Sequence, residues 1–303
     1  MKLAAIDIGS NAIRFQLSSV LQYQEEIIFK KLEYIRFPLR LGHDTFTKRT
    51  ISAESEQKFM KLLQAFKLLL ELYEVKDYMA CATSAMREAD NGQRIADRVR
   101  KEVGLNIEII DGEKEAELIS NSIRSYIDEK NYLHIDVGGG STELNFYSDR
   151  KKVSCKSFKI GSVRTLEHSF SPEAWKEMES WIKSQIQDDN RELIAIGTGG
   201  NINKLYDLTK KKSKKTLSLN QLINMKKFIE RFTYSERVNF LKLNEDRADV
   251  IIPASEIYLT TMKWANAKTM LVPDTGLKDG MVQLLFERNQ NKEDKKIKRF
   301  SFS

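Results

Sequence analysis

The sequence predicts an α/β protein built from two similar domains that face each other across a cleft. Three observations carry that expectation. One pattern occurs twice, as A-A-I-D-I-G-S-N-A-I-R-F-Q-L at 4–17 and L-H-I-D-V-G-G-G-S-T-E-L-N-F at 133–146. Apolar strand patterns alternate with amphipathic helix patterns, which argues for parallel or mixed sheets with covered faces. Seven of only 14 glycines fall in three strand-exit turns: Gly9, Gly138–Gly140, and Gly197, Gly199 and Gly200.

Each copy of the repeat reads as an apolar strand ending in Asp, a glycine turn with small polar residues, and a returning strand. In the first copy Ile13, Phe15 and Leu17 share one face while Arg14, Gln16 and Ser18 share the other, the period of two that marks a strand. A helix follows over 53–73, capped by Ser52, with Phe59, Leu62, Leu63, Phe66, Leu69 and Leu70 on its buried side. A strand over 78–82 leads into T-S-A-M-R-E-A-D-N-G, and a helix over 93–103 stops at Gly104. A strand over 107–110 precedes a helix over 114–126. After the second copy, Ser171-Pro172-Glu173 is a helix start with proline in the first turn, and Trp175, Met178 and Trp181 supply the apolar stripe. A strand over 193–196 then enters G-T-G-G-N at 197–201, which opens another helix. The repeat sets the domain boundary, giving 1–127 and 128–280.

Composition narrows the function classes. At 303 residues, 41% hydrophobic and 31% charged, the chain can bury the cores of two medium domains. No window approaches 18 consecutive apolar residues, which excludes a membrane-spanning helix, and Asp7 interrupts any signal-type apolar run at the N-terminus. Cys81 and Cys155 lack metal-type spacing and suggest a reducing, cytoplasmic setting. The net charge of +7 is concentrated in two places, K-K-K-S-K-K at 210–215 and the tail from Arg288 to Ser303, so the body is close to neutral. Those segments read either as a solvated loop and a frayed tail or as electrostatic capture of a polyanion.

The glycine turns mark where phosphate would sit. Glycine lets successive backbone N–H groups converge on one point, and no side chain then blocks an anion. Each run by itself reads equally as a tight turn; three such turns, two of them behind a strand ending in Asp, point to a site. Asp7, Asp136 and Glu143 could hold a divalent cation, directly or through water, because hard cations prefer oxygen ligands. Simple turn chemistry is the alternative for Asp7 and Asp136. His43, His134 and His168 are scattered without a partner pattern, which argues against a phosphohistidine intermediate.

At these residues the chain resembles the exopolyphosphatase / guanosine pentaphosphate phosphohydrolase (Ppx/GppA) family of the sugar kinase–Hsp70–actin superfamily. The matching stretches are D-I-G-S-N at 7–11, A-T-S-A-M-R-E-A at 82–89, I-I-D-G-E-K-E-A-E-L-I at 109–119 and I-D-V-G-G-G-S-T-E-L at 135–144. K-I-G-S-V at 159–163, G-T-G-G-N at 197–201 and G-L-K-D-G at 276–280 continue the series in order. The resemblance implies two actin-like (ribonuclease H-like, ASKHA) domains flanking a phosphate-binding cleft. It also implies Mg²⁺-dependent release of terminal phosphate from inorganic polyphosphate or guanosine pentaphosphate.

Carried over residue by residue, the resemblance makes Glu115 the base that activates water and Glu143 a second acidic residue needed for activity. Asp136 begins the same loop, and Arg87 reaches substrate phosphate. Ser10, Asn11, Gly138, Gly139, Gly140, Ser141, Gly199 and Gly200 fall on phosphate-contacting loops. Without the family, Glu115 in E-K-E-A-E would read as part of a solvated helix face. Lys278, Ala254 and Asn201 depart from the residues commoner in the family. The segment after Gly280 is expected to form a helix, about 281–303, returning to the first domain. The helical region of longer relatives is not expected here, and a homodimer is the family expectation.

Exopolyphosphatase action from a chain end is therefore the leading reading. Guanosine pentaphosphate 5′-phosphohydrolase would use the same site. An actin-like ATPase or sugar kinase is a further class, which Glu115 and Arg87 in their motifs disfavour. A nucleic-acid binder would draw only on the basic segments, without aromatic–basic interleaving or a binding module.

Overall fold

The computed structural model describes residues 1–24, 26–186, 192–209 and 215–300, with side chains described through 291. The first half builds β1 (Lys2–Ile8), β2 (Ile13–Tyr23), β3 (Glu26–Phe37), α1 (Leu41–Lys48), α2 (Ala53–Leu72), β4 (Asp77–Ala82), α3 (Ser84–Glu88), α4 (Gly92–Glu102), β5 (Glu108–Ile109) and α5 (Gly112–Ile123). Its five strands form one mixed sheet in the order β3-β2-β1-β4-β5. The second half builds β6 (Asn131–Val137), β7 (Thr142–Ser148), β8 (Lys151–Phe158), α6 (Ser162–Leu166), α7 (Pro172–Gln185), β9 (Leu193–Thr198), α8 (Gly200–Leu208), β10 (Thr216–Ser218), α9 (Leu219–Glu230), α10 (Tyr234–Asn239), α11 (Glu245–Ala248), α12 (Ile251–Trp264), β11 (Thr269–Leu271) and α13 (Leu277–Phe300). Its sheet runs β10-β11-β9-β6-β7-β8.

The two sheets share a plan that follows from the repeat. In each, the first strand of the repeat pairs antiparallel with the returning strand and parallel with a later one: β1 with β2 and β4, β6 with β7 and β9. The sequence-level caps hold. Ser52 accepts the Ser55 amide at the start of α2, and Ser171 accepts the Ala174 amide at the start of α7. On α2, Phe59, Leu63, Phe66 and Leu70 are buried against the first sheet, each contributing about 1.5–3 kcal/mol of hydrophobic stabilisation. Leu62 and Leu69 are only partly buried because they lie at the margin of that stripe.

Several local expectations change. The strand expected over 107–110 pairs only at Glu108–Ile109. The helix expected over 114–126 starts earlier, where Asp111 accepts the Lys114 amide as N-cap, and its last turn, Arg124–Tyr126, tightens to a 3₁₀ helix. Of the stripe expected on α7 only Met178 is buried, joined by Ile182; Trp175 and Trp181 lie partly exposed, edge-on to Trp264 and Phe158. The lysine run falls outside the described residues except for Lys215, as does the end of the tail beyond residue 300.

The C-terminal helix joins the first half. Met281, Val282, Leu285 and Phe286 of α13 pack with Leu3 and Ala5 of β1 and with Leu118 and Ile119 of α5. Gly280 permits that crossing, since a Cβ there would lie 1.8 Å from the Leu118 carbonyl oxygen. Helix α5 is thus held by α13 on one side, while its first residue, Gly112, presses on Ser157 of β8 from the other sheet. Glu115 is one turn along this helix.

Candidate active site in the interdomain cleft

Sheet register brings the acidic residues of the repeats to the cleft. Asp7 pairs with Arg14 across β1–β2, and Asp136 pairs with Glu143 across β6–β7. The cleft, about 300 Å³, is lined from the first half by Asp7, Ser10, Asn11, Arg14 and Glu115. From the second half it is lined by Asp136, Gly138, Gly139, Ser141, Gly199 and Gly200. Arg87, Gly140 and Glu143 are not among the lining residues. Arg87 stands behind Glu115, with Nη1 3.9 Å from its Oε2 and donating to the Ile110 carbonyl at 2.5 Å. Glu143 is wholly buried, and Ser157 donates to its Oε1 at 2.8 Å.

The turns are oriented for anions by where their carbonyls go. Ser10 O accepts from Gly42 N, and Asn11 O accepts from Arg40 N. Gly138 O accepts from Ser162 N, Gly139 O from Val163 and Arg164 N, and Gly140 O from Arg164 Nε. With those oxygens turned outward, the amides of Ser10, Asn11, Gly139, Gly140 and Ser141 have no backbone acceptor among the described residues. The Gly200 amide opens α8 and is one of the unsatisfied donors of a helix start. The glycines also allow the halves to touch. A Cβ on Gly139 would lie 2.8 Å from Ser10 Cβ, and one on Gly140 would lie 2.3 Å from Phe46 Cζ. Gly140, expected at phosphate, therefore serves close packing between the domains.

Burial and mutual repulsion shape the carboxylates. Glu115 is 6% exposed, and its Oε2 has no hydrogen-bond partner. Burial first, then the charge of Glu143, raises its pKa well above the ordinary value, against the pull of Arg87. Burial and Asp136 push Glu143 up to about 7, and its Oε2 is also without a partner. Burial raises Asp136 too, opposed by a hydrogen bond from the Thr198 hydroxyl. Arg14 Nη1 bonds the Asp7 carboxylate at 2.7 Å.

Sequence reasoning missed most of the cations. Arg14, Lys31, Arg36, Arg247 and Lys278 all line the cleft. Arg36 is ion-paired to Asp246, and Lys278 to Asp279 at 2.7 Å. Arg247 has no ion-pair partner among the described residues; burial and then Arg36 lower its pKa, so an anion beside it would relieve both effects. Tyr34 stands exposed at the mouth with the Lys31 and Lys278 ammonium groups 5.4 and 5.7 Å from its ring centre. Lys31, Tyr34 and Arg36 come from β3 and Arg247 from α11, which carry no glycine signal, whereas Arg14 on β2 and Lys278 on α13 stand at the glycine motifs of 7–11 and 276–280.

The same elements clasp the halves together. Asn11 Nδ2 donates to the Asp246 carbonyl at 2.9 Å and to its carboxylate at 3.1 Å. Arg40 meets Asp249 at 2.7 Å, Arg164 meets Glu88 at 2.6 Å, and His43 meets Glu167 at 2.8 Å. Asn11 is thus both on the phosphate turn and tied to the opposite domain.

A divalent cation fits this donor set in one way. Among the described residues no three acidic, histidine or cysteine side chains form a group able to hold a metal alone. Asp7, Asp136 and Glu143 are not brought together as a cage, because Arg14 holds Asp7 and Glu143 lies behind the wall. Asp136 lines the cleft with a single side-chain hydrogen bond, on Oδ1. That suits Mg²⁺, which keeps several waters and takes one or two carboxylates together with phosphate oxygens.

Comparison with known proteins agrees with this architecture. The sequence profile of the Ppx/GppA phosphatase family matches residues 20–288. The chain is 27% identical to a bifunctional 3-dehydroquinate synthase/phosphatase of Fusobacterium nucleatum, covering 95% of this chain and 47% of that protein. It therefore spans about half the length of that relative. It is 23% identical to exopolyphosphatase 1 of Mycobacterium leprae, covering 93% and 88% of the two chains. The crystal structure of an exopolyphosphatase from Cytophaga hutchinsonii superposes with a TM-score of 0.82 at 23% identity, over 95% of this chain and 98% of that one. The shared fold is two actin-like domains.

Proposed function

We propose that this chain, which belongs to the Ppx/GppA phosphatase family, hydrolyses the terminal phosphoanhydride bond of inorganic polyphosphate, with Glu115 as general base. The observation that carries this reading is Glu115 itself. Of the glutamates in E-K-E-A-E it alone lines the cleft, buried and with an unbonded oxygen opposite the amide turns. Burial and the neighbouring Glu143 raise its proton affinity, which favours taking a proton from water.

The terminal phosphoryl oxygens sit against the amides of Ser10, Asn11, Gly139, Ser141 and Gly200. Glu115 accepts a proton from a water as the water oxygen bonds to phosphorus. The anhydride P–O bond opposite breaks, and its electron pair leaves on the oxygen of the shortened chain. Arg247, Arg36 and Lys278 face that growing charge. Asp136 would hold Mg²⁺, which would supply charge neutralisation at the phosphoryl group.

The mouth favours a phosphate chain over a nucleoside. Among the described residues its only apolar side chains are Val137, Leu277 and Tyr34, and the tyrosine ring already carries two ammonium groups. Guanosine pentaphosphate is the second reading, favoured by the exposure of Tyr34, on which a base could stack. Phosphate release from polyphosphate, guanosine pentaphosphate and ATP, measured side by side, separates them. The expected order puts polyphosphate first by about tenfold or more in kcat/KM. Guanosine pentaphosphate in first place would support the second reading, and ATP in first place would overturn both.

A further inference from the structure

Behind the cleft the sheet stacks a second polar row. His134 lies two residues before Asp136 on the same face of β6 and opposite Asn145 on β7, and neither His134 nor Asn145 is exposed. The imidazole meets Thr198 Oγ1 at 2.8 Å through Nε2 and Asn145 Nδ2 at 3.0 Å through Nδ1. The Thr198 hydroxyl donates to Asp136 Oδ1. Thr198 is also fixed by its main chain, because the Tyr258 hydroxyl donates to its carbonyl and accepts from Val137 N at 3.4 Å.

With Asp136 ionised and Asn145 Nδ2 on the ring, the proton count has one solution. The Asp136 carboxylate only accepts, so the single Thr198 hydrogen is committed to it. Thr198 Oγ1 must then accept from His134 Nε2–H. Asn145 donates to Nδ1, which therefore carries the lone pair. A neutral ring protonated at Nε2 is required.

We propose that Asn145, His134 and Thr198 form a positioning relay that aims the Asp136 carboxylate, holding Oδ1 back so that Oδ2 faces the cleft. The relay is specific to the second half of the chain. At the matching positions of the first copy stand Ala5 and Gln16, and Cys81 is paired to Asp7 where Thr198 is paired to Asp136. Gln16 instead donates to Asp279 at 2.9 Å. Aiming Asp136 at a cation rests on the function proposed above; the relay's proton arrangement does not.

Two measurements test it. The chain has only three histidines, so ¹⁵N-histidine labelling resolves each ring by NMR. One ring, lost in His134→Leu, is expected to be the Nε2–H tautomer. An Nδ1–H tautomer overturns the relay. Mn²⁺ binding to the metal-free protein, followed by electron paramagnetic resonance, is the second readout. Thr198→Val is expected to weaken Mn²⁺ by about tenfold or more, as loss of an orienting partner does. Thr198→Ser and His134→Gln, which keep a donor at the same place, are expected to return to within about threefold of the parent. Thr198→Val folded and binding Mn²⁺ like the parent would overturn the positioning role. A parent that binds no Mn²⁺ would remove the metal reading of Asp136 and with it the aiming role, while the ring tautomer still decides the hydrogen-bond chain.

Discussion

The two copies of the repeat reach the cleft in the same fold position with opposite electrostatics. In the first, the residue across from the terminal Asp is Arg14, which bonds Asp7 at 2.7 Å. In the second it is Glu143, a wholly buried carboxylate. On the other side Asp7 is paired to Cys81, whose thiol burial raises to about 12, while Asp136 is paired to Thr198, which donates to it. One half is thus a neutralised wall and the other a concentration of negative charge. The difference shows that the duplication preserved backbone geometry and separated the chemistry: both turns offer amides, and only the second half sets a pair of adjacent carboxylates beside Glu115.

Breaking the first copy should give the largest effect on stability. Arg14→Leu leaves Asp7 with 6% exposure and no counter-ion. A loss of about 2–3 kcal/mol is expected in urea denaturation near pH 7, below the figure for a fully buried pair because Arg14 is partly exposed. An unchanged denaturation midpoint would show that Asp7 finds another partner.

Glu143→Gln should do the reverse. The folded-state value of about 7 lies above the ordinary 4.5, so folding favours the protonated form. That contribution is complete below about pH 4.5 and is lost as pH rises through about 7. In metal-free protein the variant should gain roughly 2 kcal/mol over the parent at pH 8 and show a flatter profile between pH 5 and 8. Equal slopes in variant and parent would mean that Glu143 titrates in the ordinary range. Activity should fall in the same variant, making the second copy the place where stability is given up for function.

The clasp between the copies should have a smaller effect. Asp246→Ala frees Arg36 and Asn11 together. KM for tripolyphosphate should rise by about tenfold, roughly 1.4 kcal/mol, with kcat less affected. X-ray scattering of the free variant should show a larger radius than the parent. Identical scattering and KM would assign domain closure to the Arg164–Glu88 and His43–Glu167 contacts instead.

Much of the fold was legible because it is local. Ser52 and Ser171 as caps, the Gly104 stop and the paired I-D-[IV]-G turns each depend on a few neighbouring residues. The third glycine turn was also legible, since Gly199 and Gly200 line the cleft. What could not be read is what the sheets and the domain contact bring together from afar. Arg36 and Asp246 are 210 residues apart, and Asn11 reaches the same carboxylate. His134 looked partnerless because Asn145 and Thr198 become its neighbours only through strand pairing. Gly140 looked like a phosphate contact, since a turn glycine needed for amide access and one needed for Phe46 are identical in sequence.

The account turns on Glu115 as the carboxylate that faces the terminal phosphate. Phosphate release from tripolyphosphate by Glu113→Gln, Glu115→Gln and Glu117→Gln, at saturating Mg²⁺, tests this most directly. Glu117 is exposed and paired with Lys114 at 2.9 Å, and Glu113 is absent from the cleft lining. Glu115→Gln should lower kcat by about 10²–10⁴-fold with the fold intact, and the other two should stay within about threefold of the parent. Near-parental turnover by Glu115→Gln, or an equal collapse in all three, would contradict it.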